Sequence, residues 1–168
     1  SYKGKQDRAR DKAFNILIKQ AEEYNEDKVI IIDATEQLDS AYTGLVAIKL
    51  SESINKPVLL VRQVEDGYAG SGRSFDYCPI EDFRALVDSS PYSKYGTGHA
   101  SAFGVCLTDI DNAREWFNEQ LKNTSFEKIY VVDFVVNADD VQPAWCNDIN
   151  QNSNVFAHGV DEPLWCIK

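Results

Sequence analysis

The sequence has no methionine, only two histidines and no apolar run long enough to cross a membrane. Basic residues are also scarce, because 17 Lys and Arg stand against 27 Asp and Glu, which gives a net charge of −10 at pH 7. Proteins that bind long nucleic acids without sequence preference normally carry an excess of Lys and Arg, so the charge argues against that class. The 168 residues, 43% of them hydrophobic, predict one domain with a real core.

Other absences bear on location and covalent chemistry. No basic and then apolar signal segment opens the chain, which predicts a cytoplasmic protein with no membrane partner. The four cysteines form no Cys-x-x-Cys pair, so free buried thiols are favoured over a zinc site or a disulfide framework. Because it starts at Ser1 and lacks methionine, we expect the chain to be a piece of a longer protein.

Hydrophobic spacing predicts an alternation of helices and strands. Residues 5–25 have the period of an amphipathic helix, and strands are expected at residues 28–33, 57–62, 68–74, 102–107 and 128–136. Further helices are expected at residues 41–55, 79–87, 109–122 and 139–149. The first strand, helix and strand form a βαβ unit, whose right-handed crossover makes its strands parallel.

This pattern predicts an α/β fold with a mixed, mostly parallel sheet flanked by helices. We expect a connector helix over residues 1–27 and the α/β domain over residues 28–136. Residues 137–168 are expected to hold a helix and the truncated start of a further module.

Two glycine-rich segments, at residues 70–74 and 96–104, each contain one side chain suited to binding an anion, Arg73 or His99. Glycine tolerates positive φ and leaves amide N–H groups uncovered, so such loops can bind phosphate. Neither segment is a P-loop or a dinucleotide-binding fingerprint. The plainer alternatives are a surface ion pair of Arg73 with Asp76 or Glu65, and a histidine that bonds only to its own loop.

Signatures of a complete catalytic centre are missing from the sequence. Two histidines far apart do not make a two-metal site, and no Gly-x-Ser-x-Gly elbow is present. We therefore predict no catalytic residue and no metal ligand in this chain.

The order of motifs resembles the DHH-associated domain of RecJ-like single-strand-specific exonucleases, in the DHH phosphoesterase superfamily. The resemblance rests on Gly70-Ser71-Gly72-Arg73-Ser74, Ile80-Glu81-Asp82-Phe83 and Gly98-His99-Ala100-Ser101-Ala102-Phe103-Gly104. Upstream, residues 43–50 and 55–60 look like the first helix and second strand of that domain. Downstream, residues 158–165 are similar to the opening of the RecJ oligonucleotide-binding module.

The resemblance implies a parent exonuclease that hydrolyses single-stranded DNA in repair or recombination, with two Mn or Mg ions in a separate N-terminal DHH domain. Single-stranded DNA and that DHH domain are the implied partners, and this chain alone is expected to be inactive. The phosphate contacts carried over are Gly72, Arg73, Ser74, Gly98 and His99, with Ser71, Thr97 and Ala100 in support.

Departures from the family pattern at Asp39, Thr97 and Phe103 favour a divergent, phage-type branch of bacterial or phage origin. Two alternatives stay open from the sequence. One is a phosphodiesterase of the same superfamily acting on short oligoribonucleotides or cyclic dinucleotides. The other is a non-catalytic scaffold whose glycine segments merely form turns.

Overall fold

The computed structural model describes residues 2–127, 129, 132–151 and 164–168. The chain divides into two compact units, Ser1–Glu127 and Lys128–Lys168. The helices of the larger unit are α1 (Tyr2–Glu23), α2 (Thr43–Ile54), α3 (Phe83–Asp88) and α4 (Ile110–Gln120). Its strands are β1 (Ile30–Asp33), β2 (Val58–Val64), β3 (Gly67–Arg73), β4 (Ser93–His99) and β5 (Ala102–Leu107).

The five strands form one sheet in the order β1-β2-β3-β5-β4. Only β1 and β2 are parallel, as the predicted βαβ unit requires, and the other three pairings are antiparallel. The prediction of a mostly parallel sheet is therefore wrong. Two-residue links connect β2 to β3 and β4 to β5, namely Glu65-Asp66 and Ala100-Ser101. Because so short a link can join only antiparallel neighbours, these two pairs are hairpins.

The sheet has helices on both faces, and each face has its own hydrophobic core. On the first face, α1 and α2 pack against the alternate strand residues Ile30, Ile32, Val58 and Leu60. On the second face, α3 and α4 pack against the residues in between, such as Ile31 and Leu59. We call these the α2 face and the α3 face. Side chains of a strand alternate between the faces, so the position of each later residue follows from its register.

The helices α3 and α4 each begin with an aspartate cap. The Asp82 carboxylate accepts a hydrogen bond from the Ala85 amide at 2.7 Å, and the Asp109 carboxylate accepts one from the Asn112 amide at 2.9 Å. The second bond lowers the pKa of Asp109 below its usual range. Asp39 plays the same part in the 3₁₀ turn Ser40–Tyr42, which leads directly into α2.

The smaller unit contains β6 (Phe134–Val136), α5 (Pro143–Gln151) and β7 (Trp165–Ile167). The two strands pair in parallel, and Trp165 contacts Phe134 and Trp145 at ring-centroid distances of 4.9 Å and 5.5 Å. The long strand predicted at residues 128–136 is thus three residues long among those described, and it belongs to a separate sheet. Residues 158–163 of the predicted oligonucleotide-binding stretch lie outside the described residues.

Three of the cysteines, Cys78, Cys106 and Cys166, are free thiols. Cys106 is buried and the other two are half-buried, in line with the prediction of free thiols for these three. Burial raises the pKa of the Cys78 thiol.

Candidate functional site

Arg73 and His99 lie on the same face of the sheet, at opposite ends of one row across three strands. Arg73 of β3 is directly opposite Ala102 of β5, and Ala102 is directly opposite His99 of β4. Two inter-strand spacings separate the backbones of the two residues by about 10 Å. Ala102 is small, so its own side chain does not fill the space between the two longer side chains.

The neighbouring row of the sheet contains other small residues. Together with Ala102 they form a surface that we call the floor of the site. Ser71, Gly104 and Thr97 are opposite one another on β3, β5 and β4. A Cβ added at Gly104 would meet nothing nearer than 3.8 Å, so the surface there is open. The Ser71 hydroxyl lies 2.9 Å from that of Thr43, the first residue of α2. The floor therefore runs from the N-terminus of α2 to the edge strand β4.

The Arg73 guanidinium is held in one place by backbone groups. Its Nη1 donates hydrogen bonds to the carbonyls of Gly72 at 2.6 Å and Phe103 at 3.2 Å. Its Nη2 lies against the first turn of α2, since a Cβ added at Gly44 would be 2.6 Å from it. Glycine at position 44 thus makes room for the guanidinium. Burial lowers the pKa of Arg73, but an arginine remains cationic at neutral pH.

No carboxylate lies within 4.0 Å of Arg73 in the described part of the chain, so the alternative ion pair with Asp76 or Glu65 is not formed. In contrast, Arg84 contacts Asp82 and Asp88 at 3.6 Å and 2.8 Å. Within that part of the chain, Arg73 is a half-buried cation without a counter-charge.

The N-terminus of α2 adds a second positive feature beside Arg73. The N-terminal end of a helix carries about half a positive charge and exposes unpaired amide N–H groups. The N-cap residue Tyr42 makes no side-chain hydrogen bond to these amides. A guanidinium and a helix N-terminus repel each other, and both are stabilised when an anion lies between or beside them. The arrangement therefore suits a phosphate group.

The glycines Gly72 and Gly98 lie on the other side of this floor, opposite Phe103 in the strand register. A Cβ added at Gly72 would be 2.3 Å from the Phe103 ring, which packs edge-on against Phe83 at 5.2 Å in the core of the α3 face. Gly98 has φ of 137° and lies close to the hairpin backbone. The large Phe103 is therefore accommodated by Gly72.

The strand predicted at residues 68–74 is confirmed as β3, whereas the interpretation of the glycine segments as loops is wrong for residues 70–73 and 96–99. Residues 70–73 lie in β3, an inner strand whose two neighbours pair with it, and residues 96–99 lie in β4. His99 is the last residue of a strand and is exposed. Arg73 and His99 are presented by a sheet, so the spacing between them is fixed.

Ser74 and Ala100 support the site through their backbones. Ser74 is only 7% exposed, and its amide donates to the Ser101 carbonyl at 3.0 Å. The Ala100 carbonyl accepts a hydrogen bond from the Arg84 amide at 3.0 Å. Both contacts hold the turn that follows His99.

Sequence reasoning missed two residues that shape this site, Thr43 and Gly44, and also the unusual backbone of the exposed Tyr77 in the turn after β3. The signal for the first two is a Thr-Gly pair at a predicted helix start. Tyr77 has φ of 63°, which its residue type does not suggest.

Among the described residues, no group of three or more His, Cys, Asp or Glu side chains could hold a metal ion. None of the described helices is long and apolar enough to cross a membrane.

Comparison with known proteins finds two sequence relatives, both named as single-strand DNA-specific exonucleases. No protein-family model matches the chain. The chain is 30% identical over 147 residues to YorK of Bacillus subtilis strain 168, which is named as an SPβ prophage-derived single-strand DNA-specific exonuclease. The same identity relates it to the YorK protein of Bacillus phage SPβ. The match covers 83% of this chain and 26% of each relative, so the chain spans about a quarter of their length.

The fold matches that of part of a solved protein, RecJ. Crystal structures of Thermus thermophilus RecJ with Mn²⁺ and with Mg²⁺ superimpose on the chain with TM-scores of 0.62 and 0.57, at 18% identity. The matches cover 96% and 92% of this chain and 23% and 24% of RecJ. The chain therefore has the fold of a segment of RecJ, and its sequence is similar to a segment of the two YorK proteins. Both of these sequence relatives are of phage or prophage origin.

Proposed function

We propose that the chain is the substrate-binding region of a RecJ-like, metal-dependent exonuclease acting on single-stranded DNA. Arg73 and His99 bind a phosphate of the strand from two sides, above Ala102. The observation that carries the proposal is the Arg73 guanidinium, held beside the first turn of α2 without a carboxylate partner among the described residues. The exonuclease names of the 30% identical relatives support the choice of substrate.

The role of these residues is to position the strand. Arg73 offers a planar set of donors whose direction is fixed by its bonds to two backbone carbonyls. A phosphate fixed in this way presents its neighbouring phosphodiester bond in a defined orientation, and the positive charge stabilises charge that develops during hydrolysis. The divalent ions that activate water belong to a DHH domain of the parent protein, outside the described residues.

The proposal predicts that the purified 168-residue chain binds single-stranded DNA without cutting it. The test incubates the chain with fluorescent oligo-dT and either Mn²⁺ or Mg²⁺, measuring binding by anisotropy and cleavage on a gel. Binding with intact substrate is expected, because the described residues offer phosphate contacts but no metal cluster. Metal-dependent cleavage by the chain would contradict the division of labour, and absence of binding would contradict the substrate-binding role.

A weak dependence of binding on salt is also expected. Single strands lose affinity with a slope of about −0.7 per neutralised phosphate in a plot of log K against log salt. Since Arg73 and His99 are proposed to bind one phosphate in a chain of net charge −10, we expect a slope of about −0.7. Anisotropy titrations with oligo-dT at several salt concentrations measure it. A slope of about −3 or steeper would mean that a larger basic surface binds the strand.

A further inference from the structure

Tyr77 stands out because its backbone conformation is costly and its side chain is exposed. It is the third residue of the turn from Phe75 to Cys78, closed by a hydrogen bond from the Cys78 amide to the Phe75 carbonyl at 3.2 Å. With φ of 63° it occupies a position that favours glycine or asparagine. The residue is nonetheless 62% exposed, so burial in a core does not account for the tyrosine.

The turn that carries Tyr77 is anchored on both sides to the hairpin that presents His99. Before it, the Ser74 amide bonds to Ser101, and after it, the Arg84 amide bonds to Ala100. Phe75 is 6% exposed and packs edge-on against Phe126 at 6.3 Å. Tyr77 follows Ser74 by only three positions, so their Cα atoms lie within about 11 Å of each other. The backbone of Tyr77 is thus held near the end of the strand that carries Arg73.

We infer that Tyr77 stacks on a base of the single strand whose phosphate is bound by Arg73 and His99. This inference rests on the proposed function and adds to it a contact for the base. The site has few cationic groups, so phosphate contacts alone bind a strand weakly in so acidic a chain. Stacking on an aromatic ring adds affinity without regard to sequence, because every base has a flat face. Because hydrogen bonds fix the backbone of the turn beforehand, that backbone loses little freedom on binding.

Two variants and two strands test the inference. Tyr77→Asn removes the ring and suits the left-handed backbone, whereas Tyr77→Phe keeps the ring and differs only in the hydroxyl. The strands are oligo-dT and an abasic oligomer of the same length, which has the phosphates but no bases. We expect Tyr77→Asn to weaken oligo-dT binding about 10-fold and to leave abasic binding unchanged. Tyr77→Phe should bind both strands like the wild type.

The melting temperature distinguishes stacking from a purely structural role. If Tyr77 only stabilised the fold, Tyr77→Asn would lower the melting temperature. Since asparagine tolerates positive φ better than tyrosine, Tyr77→Asn is expected to melt at the same or a higher temperature than the wild type. A variant that is at least as stable and yet binds oligo-dT less well has lost a contact with the bases.

The outcomes separate the inference from the proposed function. If Tyr77→Asn binds oligo-dT like the wild type, or loses the same factor on both strands, the stacking inference is wrong while phosphate binding stands. If the wild-type chain binds neither strand, both the inference and the proposed function are wrong.

Discussion

Replacement of Gly70 by alanine is expected to lower the free energy of unfolding by about 3 kcal/mol, because the added methyl group has no space between the strands. Gly70 lies on β3 between Val61 of β2 and Val105 of β5. A Cβ at this position would be 2.1 Å from the Leu60 carbonyl oxygen and 2.7 Å from the Val61 Cα. Both are backbone atoms of an inner strand, so relief requires the two strands to separate. Urea denaturation of the two proteins measures the loss.

Gly104→Ala is the matched control for this change. Gly104 lies on the adjacent strand β5, but an added Cβ would meet nothing nearer than 3.8 Å. We expect the free energy of unfolding to change by about 0.5 kcal/mol or less. If the two variants lose the same free energy of unfolding, the close approach of β2 to β3 is not the reason why position 70 needs glycine.

Replacement of Arg73 by alanine is expected to weaken binding of oligo-dT by about 30-fold or more. A hydrogen bond to a charged group contributes about 1.5–3 kcal/mol, which corresponds to about 10- to 150-fold in affinity. Arg73 also supplies the cation next to the α2 N-terminus, so its loss removes a large part of the field at the site. Arg73→Lys should restore only part of the affinity, because lysine lacks the planar pair of donors. Fluorescence anisotropy at low salt measures all three proteins.

Arg84→Ala is the control for the change in net charge. Arg84 belongs to α3 on the opposite face, and its guanidinium is already bound to Asp82 and Asp88. We expect less than about a two-fold change in affinity, since an exposed ion pair contributes little. If Arg84→Ala and Arg73→Ala weaken binding equally, the strand responds to overall charge and not to a site at Arg73.

Much of the fold could be predicted because its signals are local. The β-branched run that forms β1, the helical period of α2 and the apolar run of β2 are each encoded within their own segments. The strand β4 could not be found in this way. Its sequence, Ser93–His99, lacks the alternation of apolar residues, because it is an edge strand whose residues are mostly exposed. Missing β4 left one hairpin out of the prediction and made the sheet seem more parallel than it is.

The candidate site was partly predictable. Arg73 and His99 could be chosen from their glycine-rich surroundings, but the sequence does not give the register that sets them across Ala102 on one face. The contact of Arg73 with the turn at Gly44 is also tertiary, since 29 positions separate the two residues in the numbering. The positive φ of Tyr77 depends on the turn around it, so its residue type gave no hint.

The central claim is that Arg73 and His99 bind the same phosphate, and a double-mutant cycle tests it most directly. The measurement compares oligo-dT binding by the wild type, Arg73→Ala, His99→Ala and the double variant. If both side chains bind one phosphate, the fold-loss in affinity of the double variant should be at least about five-fold smaller than the product of the two single fold-losses. This difference corresponds to a coupling energy of about 1 kcal/mol. Losses that multiply fully, or an unchanged affinity in His99→Ala, would contradict the shared site.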